Sequence, residues 1–202
     1  MLSFAGNPEF REFAPLAFHR LNTGRSMAAL AALLKTTEPG TFEHEESADY
    51  LAHSGDQKWL SLLLEIATKN AGNFPYVADA AELGGDKALP VLLELAGKPD
   101  KEFRPRSSEE GFAENAVTGM GYTGSGKAVP ILLSFLKGFD TAVAEGARRG
   151  LQILTHRAAS DTWRDGSPQA EYSKWLRWWS REGATAPVYR STECGDFNPI
   201  KE

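Results

Sequence analysis

The sequence predicts an all-α protein, an α-solenoid of about four to five stacked helical hairpins. Apolar residues recur at helical spacing along most of the chain of 202 residues. A motif of Lys-Ala, one apolar residue, Pro, one apolar residue and Leu-Leu occurs at Lys87–Leu93 and again at Lys127–Leu133, 40 residues later. One hairpin cannot bury its apolar face alone, so hairpins that repeat along a chain are expected to stack.

The clearest unit runs from Phe112 to Lys137. Its pattern indicates one helix, a glycine-rich turn at Gly121–Gly126 and a second helix. Pro130 lies in the first turn of the second helix, where the amides have no intrahelical partner and a proline is tolerated. The segment therefore predicts a helical hairpin.

Further copies of this hairpin precede and follow it. Lys58 lies 29 residues before Lys87, and the residues after the two lysines share their leucines. The small residues of the second helices recur 31 or 32 residues apart, at Ala48 and Ala80 and at Ala116 and Ala147. An insertion explains the unequal spacing of the first helices. Residues 97–111 are polar and contain two prolines, so we expect a loop that joins the two helices of one hairpin.

These repeats resemble the HEAT-repeat (armadillo-like) family in its short bacterial form. Ala80–Leu93 and Ala116–Leu133 carry the resemblance, because they are similar to the family's Ala-x-x-Leu-Gly…Asp-x-x-Ala-Val-Pro-x-Leu-Leu signature. The likeness is clear over residues 47–154. It implies a right-handed solenoid whose second helices line the concave face. It leaves the function open, because such scaffolds host many unrelated roles.

The segments beside the repeats complete one predicted domain, residues 1–182. The helices expected before the repeats are Glu9–Leu21, Met27–Lys35 with Ser26 as its N-cap, and Phe42–His53. A tryptophan-rich helix at residues 168–181 is expected to close the stack. Residues 183–202 are expected to form an extended C-terminal tail.

The composition excludes several classes of protein. A net charge of -5 and a pI near 5.5 disfavour a general nucleic-acid binder and a protein of anionic membrane surfaces, since both need a basic surface. Cys194 is the single cysteine, so we expect neither an internal disulfide nor a cysteine-rich zinc site. No apolar run is long enough to cross a bilayer, and we expect no signal peptide at the start of the chain. We expect a cytoplasmic protein without a cofactor, monomeric when unbound. A periplasmic location is the alternative if a leader has been removed.

The segment Gly121–Ala128 has the Gly-x4-Gly-Lys spacing of a phosphate-binding loop. Ala128 stands where such a loop has a Ser or Thr hydroxyl for magnesium. The segment also follows a predicted helix, whereas a phosphate-binding loop follows a buried strand. We therefore interpret it as a structural turn.

Three other features suggest chemistry but are better explained by packing. The His-Glu pair that begins at His44 resembles those of the HEAT-like iron enzyme deoxyhypusine hydroxylase, which needs several pairs on successive repeats. Only one pair is present, so we expect His44 on the apolar face. Trp175, Trp178 and Trp179 share one helical stripe, which is typical of core. Cys194 lies in a polar tail without a nearby base. No catalytic residue and no metal site are predicted.

A polar face on the second helices remains as the candidate binding site. If the small and leucine positions face the core, the opposite positions are mostly charged. We name this face the acidic ridge, and its residues are Glu46, Asp49, Tyr50, Asp79, Glu82, Glu114, Thr118, Glu145, Arg148 and Arg149. It is expected to line the concave side and to become basic at its C-terminal end. An ordinary solvated helix face is the alternative.

The acidic ridge favours a non-enzymatic scaffold that holds a protein partner, expected to be basic. An immunity or inhibitor protein that masks a basic toxin is one version of this function. The alternative is an enzyme or enzyme accessory protein on the same scaffold, similar to a bilin lyase or a DNA glycosylase. Phe103, in the loop at residues 97–111, completes the predicted partner surface because aromatic anchors dominate interfaces.

Overall fold

The computed structural model describes residues 13–97, 110–138, 141–157, 168–183, 185–191 and 197–199. These residues form ten α-helices and two three-residue strands, so the predicted all-α class is confirmed. The helices are α1 (Ala14–Leu21), α2 (Gly24–Thr36), α3 (Phe42–His53), α4 (Leu60–Lys69), α5 (Phe74–Gly84), α6 (Leu89–Ala96), α7 (Glu110–Gly119), α8 (Ala128–Leu136), α9 (Thr141–Thr155) and α10 (Pro168–Glu182). Short 3-10 turns at Gln57–Trp59 and Gly85–Lys87 precede α4 and α6, and a third at Met120–Thr123 follows α7.

The start of α2 differs from the prediction. Thr23, not Ser26, is the N-cap: its hydroxyl accepts from the Ser26 amide at 3.1 Å. The Ser26 hydroxyl accepts in return from the Thr23 amide at 2.8 Å, which completes a capping box. The helix therefore begins at Gly24, before the expected Met27. Asn22 ends α1 in the left-handed conformation, as the predicted break requires.

Several predictions fall outside the described residues. They concern the first part of the helix expected at Glu9–Leu21, residues 98–109 of the insertion with Phe103, and Cys194. At the end of the insertion, α7 begins at Glu110, slightly before the expected Phe112.

The helices pack in a regular order. In one layer α3 packs against α5, α5 against α7, and α7 against α9. Each of α5, α7 and α9 also packs against the helix that precedes it in the chain, which is α4, α6 and α8 respectively. These three preceding helices form the partner layer. We call the layer of α3, α5, α7 and α9 the second-helix layer, and that of α4, α6 and α8 the first-helix layer. α1 and α2 pack on α3, and α10 packs on α8.

The apolar core includes residues from both layers. Leu92 of α6 and Leu132 of α8 are fully buried, as the repeat predicts. Small residues let α7 and α9 approach closely. A Cβ atom on Gly146 would lie 2.8 Å from the Glu114 carbonyl oxygen, and one on Gly150 would lie 3.1 Å from that of Val117. Larger side chains at these two positions would push the helices apart.

The tryptophan-rich helix α10 adds to the core, as predicted. Trp175 and Trp178 are buried and pack edge to face, with ring centroids 5.5 Å apart. The indole N–H of Trp175 donates to Glu171 at 3.0 Å, so its polar edge is satisfied inside the protein.

The predicted extended tail contains a strand pairing that the sequence did not reveal. Strand β1 (Tyr189–Ser191) pairs antiparallel with β2 (Phe197–Pro199), and β1 packs on α9. The Tyr189 ring stacks on His156 at a centroid distance of 4.3 Å. This part of the tail therefore folds back onto the helices. No helix in the described ranges is long and apolar enough to span a membrane.

Candidate functional site

The residues of the acidic ridge lie on the four neighbouring helices of the second-helix layer. Phe103 is outside the described residues. Burial interrupts the ridge at its middle, because Asp79 is only 3% exposed and Glu82 only 8%. Both residues belong to α5, which packs between α3 and α7. The solvent-accessible part of the ridge therefore divides into an N-terminal half on α3 and a C-terminal half on α7 and α9.

A histidine that was not among the predicted site residues organises the N-terminal half. His53 Nδ1 lies 2.9 Å from Asp49 Oδ1, and its Nε2 lies 3.6 Å from Glu82 Oε1. The hydrogen bond to Asp49 is the largest influence on His53 and raises its pKa to about 9. At neutral pH His53 is therefore a cation that compensates two carboxylates on adjacent helices. The sequence could have indicated this pair, because His53 follows Asp49 by four residues and side chains at that spacing are neighbours on a helix.

We expect His53 to make the stability fall as the pH rises from about 6.5 to about 9. The pKa of His53 is about 9 when folded and about 6.5 when unfolded. Its contribution is therefore complete below the unfolded pKa and is lost as the pH rises through the folded pKa. Since the pair with Asp49 is partly exposed, we expect His53 to contribute about 1 kcal/mol to the free energy of unfolding.

His53→Gln should remove this pH dependence and leave the stability at pH 10 nearly unchanged, as measured by thermal denaturation at pH 6, 8 and 10. Asp49→Asn, which keeps the His53 ring and removes its nearer carboxylate, should weaken the same pH dependence. Parallel pH profiles for wild type and His53→Gln would show that the ion pair contributes nothing.

Tyr50 completes the N-terminal half. Its ring stacks on His19, with centroids 4.2 Å apart. Burial, helped by a hydrogen bond to Glu46, raises the pKa of Tyr50 to about 12. Tyr50 is therefore a neutral phenol at physiological pH and offers a stacking surface, not a base.

The C-terminal half is a charge-compensated cluster. Arg149 Nη1 lies 3.2 Å from Glu114 Oε1, and Arg149 Nε lies 3.2 Å from Glu145 Oε1. The Nε of Arg148 donates to Glu145 Oε2 at 2.8 Å. Burial opposes the ionisation of Glu145, but the two arginines outweigh it and hold its pKa below the usual value. The C-terminal end of the ridge, which was expected to be basic, is therefore charge-compensated, because Glu114 and Glu145 balance Arg148 and Arg149.

A groove of about 450 Å³ opens on the second-helix layer beside this cluster. Its lining residues come from α5, from α7 with the turn that follows it, and from α9: they are Phe74, Asn115, Thr118, Tyr122, Arg149, Gln152 and Ile153. Thr118 and Arg149 belong to the predicted ridge, and the other five were missed. Gln152 could have been found from the sequence, because it lies three residues after Arg149 and therefore on the same side of the helix. The rings of Phe74 and Tyr122 meet edge to face at 5.7 Å.

The glycine-rich segment after α7 has a structural role in this fold. As expected, it follows a helix and not a strand, and its first three residues belong to the 3-10 turn at Met120–Thr123. Lys127 and Ser125 both donate to the Asp86 carboxylate, and these hydrogen bonds lower its pKa. The segment is thereby tied to the equivalent turn of the preceding hairpin, and its lysine is already engaged.

His44 is buried at 3% exposure, which confirms the prediction that it faces the apolar side. Its ring meets Tyr76 edge to face at 5.1 Å, and burial lowers its pKa. Across the described part of the chain, no group of three or more His, Cys, Asp or Glu residues is placed to hold a metal ion.

No protein-family model matches the chain, and no curated protein matches it. The class that the fold and site define is an all-α protein with a polar face and a groove on one helical layer.

Proposed function

We propose that the protein is a non-enzymatic scaffold that binds a protein partner on its second-helix layer. The proposal includes a finer architecture, a right-handed HEAT-like α-solenoid with this layer on its concave side. The packing order supports it, since α3, α5, α7 and α9 are successive neighbours. Stacks of this kind offer extended concave surfaces for binding.

The position of the groove is the observation that carries the proposal. It lies on the layer that contains the acidic ridge and shares Thr118 and Arg149 with it. Interfaces concentrate their binding energy in pockets that receive a few anchor side chains, surrounded by a polar rim. An apolar wall of Phe74 and Tyr122 beside charged residues has this composition.

The charge distribution supports a basic partner at the N-terminal end of the ridge. Glu46, Asp49 and the buried Glu82 together carry more negative charge than His53 compensates, Glu46 and Asp49 are partly exposed, and the chain has a net charge of -5. Opposite charges on a partner would speed its association and fix its orientation. An immunity or inhibitor protein that masks a basic toxin is one form that this function takes.

Neutralising the ridge tests the proposal. The double variant Glu46→Gln, Asp49→Asn should slow association with the captured partner about tenfold at low salt and flatten its salt dependence. The partner is captured from a lysate of the source organism on immobilised protein, identified, and its binding kinetics measured. Asp79 and Glu82 are unsuitable positions because they are buried, and changes there would disturb folding.

The matched control neutralises two exposed acids of the first-helix layer, Glu65→Gln and Glu94→Gln. It removes the same charge from the other side of the protein and should leave association nearly unchanged. If both variants slow association equally, either the partner binds elsewhere or only the net charge of the protein affects the rate. Failure to capture any protein would count against the scaffold function itself.

A further inference from the structure

The groove between α5, α7 and α9 contains a hydroxyl group without a partner. Thr118 is only 7% exposed, and its hydroxyl makes no hydrogen bond within the described residues. The oxygen is not sealed inside the protein, and Thr118 lines the groove. The hydroxyl lies at the contact of α7 with α9, 3.1 Å from the place of a Cβ atom on Gly146. A nearly buried polar group in a residue that lines a groove is suited to a guest that forms a hydrogen bond.

Two carboxamides add a free acceptor and a free donor to the same groove. Asn115 uses its Nδ2 to donate to the Ala71 carbonyl at 3.0 Å, which leaves its Oδ1 as an acceptor. Gln152 accepts at Oε1 from Arg148 Nη1 at 3.0 Å, which leaves its amide hydrogens as donors. A guest that both donates and accepts hydrogen bonds matches this set.

The charges around the groove favour an uncharged guest. Arg149 is the charged residue of the lining, and two carboxylates, Glu114 and Glu145, lie 3.2 Å from it. A guest carboxylate or phosphate would compete with both acids. A guest lysine or arginine would face the guanidinium of Arg149. Either charge would therefore be disfavoured by like-charge repulsion.

We propose that the groove binds a tyrosine side chain of the protein partner, an inference that rests on the proposed function. The ring packs against the edge-to-face pair of Phe74 and Tyr122, an arrangement that aromatic rings prefer. The phenol both donates and accepts, so it satisfies the polar atoms of the groove. A phenylalanine would leave the Thr118 hydroxyl, Asn115 Oδ1 and the amide hydrogens of Gln152 buried without partners, and such uncompensated burial weakens binding.

The inference is tested with N-acetyl-tyrosinamide as the probe, in a titration followed by 1H–15N NMR spectra. It should shift the backbone amides of Thr118, Tyr122 and Gln152, with a Kd on the order of millimolar for a molecule of this size. N-acetyl-phenylalaninamide should bind about tenfold more weakly, the factor that corresponds to one uncharged hydrogen bond. N-acetyl-argininamide should not shift these amides.

Thr118→Val should reduce the preference for the tyrosine probe over the phenylalanine probe, because it removes the hydroxyl and keeps the shape. Thr68→Val is the control: Thr68 is an exposed residue of α4 whose hydroxyl donates to the Leu64 carbonyl at 2.7 Å. It should keep the wild-type preference. If Thr118→Val lowers the melting temperature severely, Gln152→Ala replaces it with the same expectation.

Equal binding of the tyrosine and phenylalanine probes to the wild type would overturn the inference, as would shifts confined to other surfaces. Tighter binding of adenosine at the same amides would also overturn it and indicate a nucleobase site. If a partner is captured but the tyrosine probe does not bind, this inference is refuted and the proposed function is not. Tyrosine binding without any captured partner would instead count against the proposed function.

Discussion

Replacing Leu132 with alanine should lower the free energy of unfolding by about 2–5 kcal/mol, the range for a large buried aliphatic side chain. Leu132 is 0% exposed, and its Cδ2 would lie 3.0 Å from a Cβ atom placed on Gly150. The side chain therefore fills the space between α8 and α9. Leu92 occupies the equivalent position of the preceding repeat and is also 0% exposed, so Leu92→Ala should have a similar effect.

Chemical denaturation of the two variants gives the measurement. Leu93→Ala is the control because Leu93 is the neighbour of Leu92 in α6 and is 39% exposed. It should cost about 1 kcal/mol, because part of the side chain is already in solvent and its removal leaves no enclosed cavity. Losses near zero for both Leu92→Ala and Leu132→Ala would mean that the repeats are aligned incorrectly.

Gly121→Ala should also destabilise the protein strongly, by about 1–3 kcal/mol or more. A Cβ atom at this position would lie 2.6 Å from the carbonyl oxygen of Gly150 and 2.7 Å from its Cα. Both neighbours are backbone atoms of α9, which cannot rotate away as a side chain would. The turn after α7 and helix α9 would have to separate.

The same glycine-rich turn provides the control for this variant. A Cβ atom on Gly126 would have its nearest neighbour, Val188 Cγ1, at 4.0 Å, and its φ is not in the left-handed region. Gly126→Ala should be neutral or slightly stabilising, because alanine restricts the unfolded chain. Calorimetry that gave equal melting temperatures for both variants would contradict the close approach at Gly121.

Helical periodicity and the repeat together predicted most of the fold. The positions of Leu92 and Leu132 followed from aligning two lysines, because the inward face of a helix is set by 3.6-residue spacing. The N-cap of α2 was misplaced because Thr23 and Ser26 are both good caps, and the reciprocal bonds make Ser26 the third residue of the helix. The strand pairing of the tail depends on contacts with α9, which local sequence does not encode.

The candidate site was predicted only in part, for a similar reason. Spacing along each helix correctly grouped residues such as Glu145, Arg148 and Arg149 on one face. The burial of Asp79 and Glu82 depends on how closely α3 and α7 flank α5, which no single helix reveals. The groove was missed because its walls come from three helices that are distant in sequence.

The recognition role of the second-helix layer is the central claim, and site-directed photo-crosslinking during partner capture tests it most directly. A photoreactive amino acid is placed at Gln152, in the groove, or at Leu93, on the first-helix layer. The partner should become covalently linked to the protein from position 152 and not from position 93. Crosslinking from position 93 with none from position 152 would contradict the account and place the binding surface on the opposite layer.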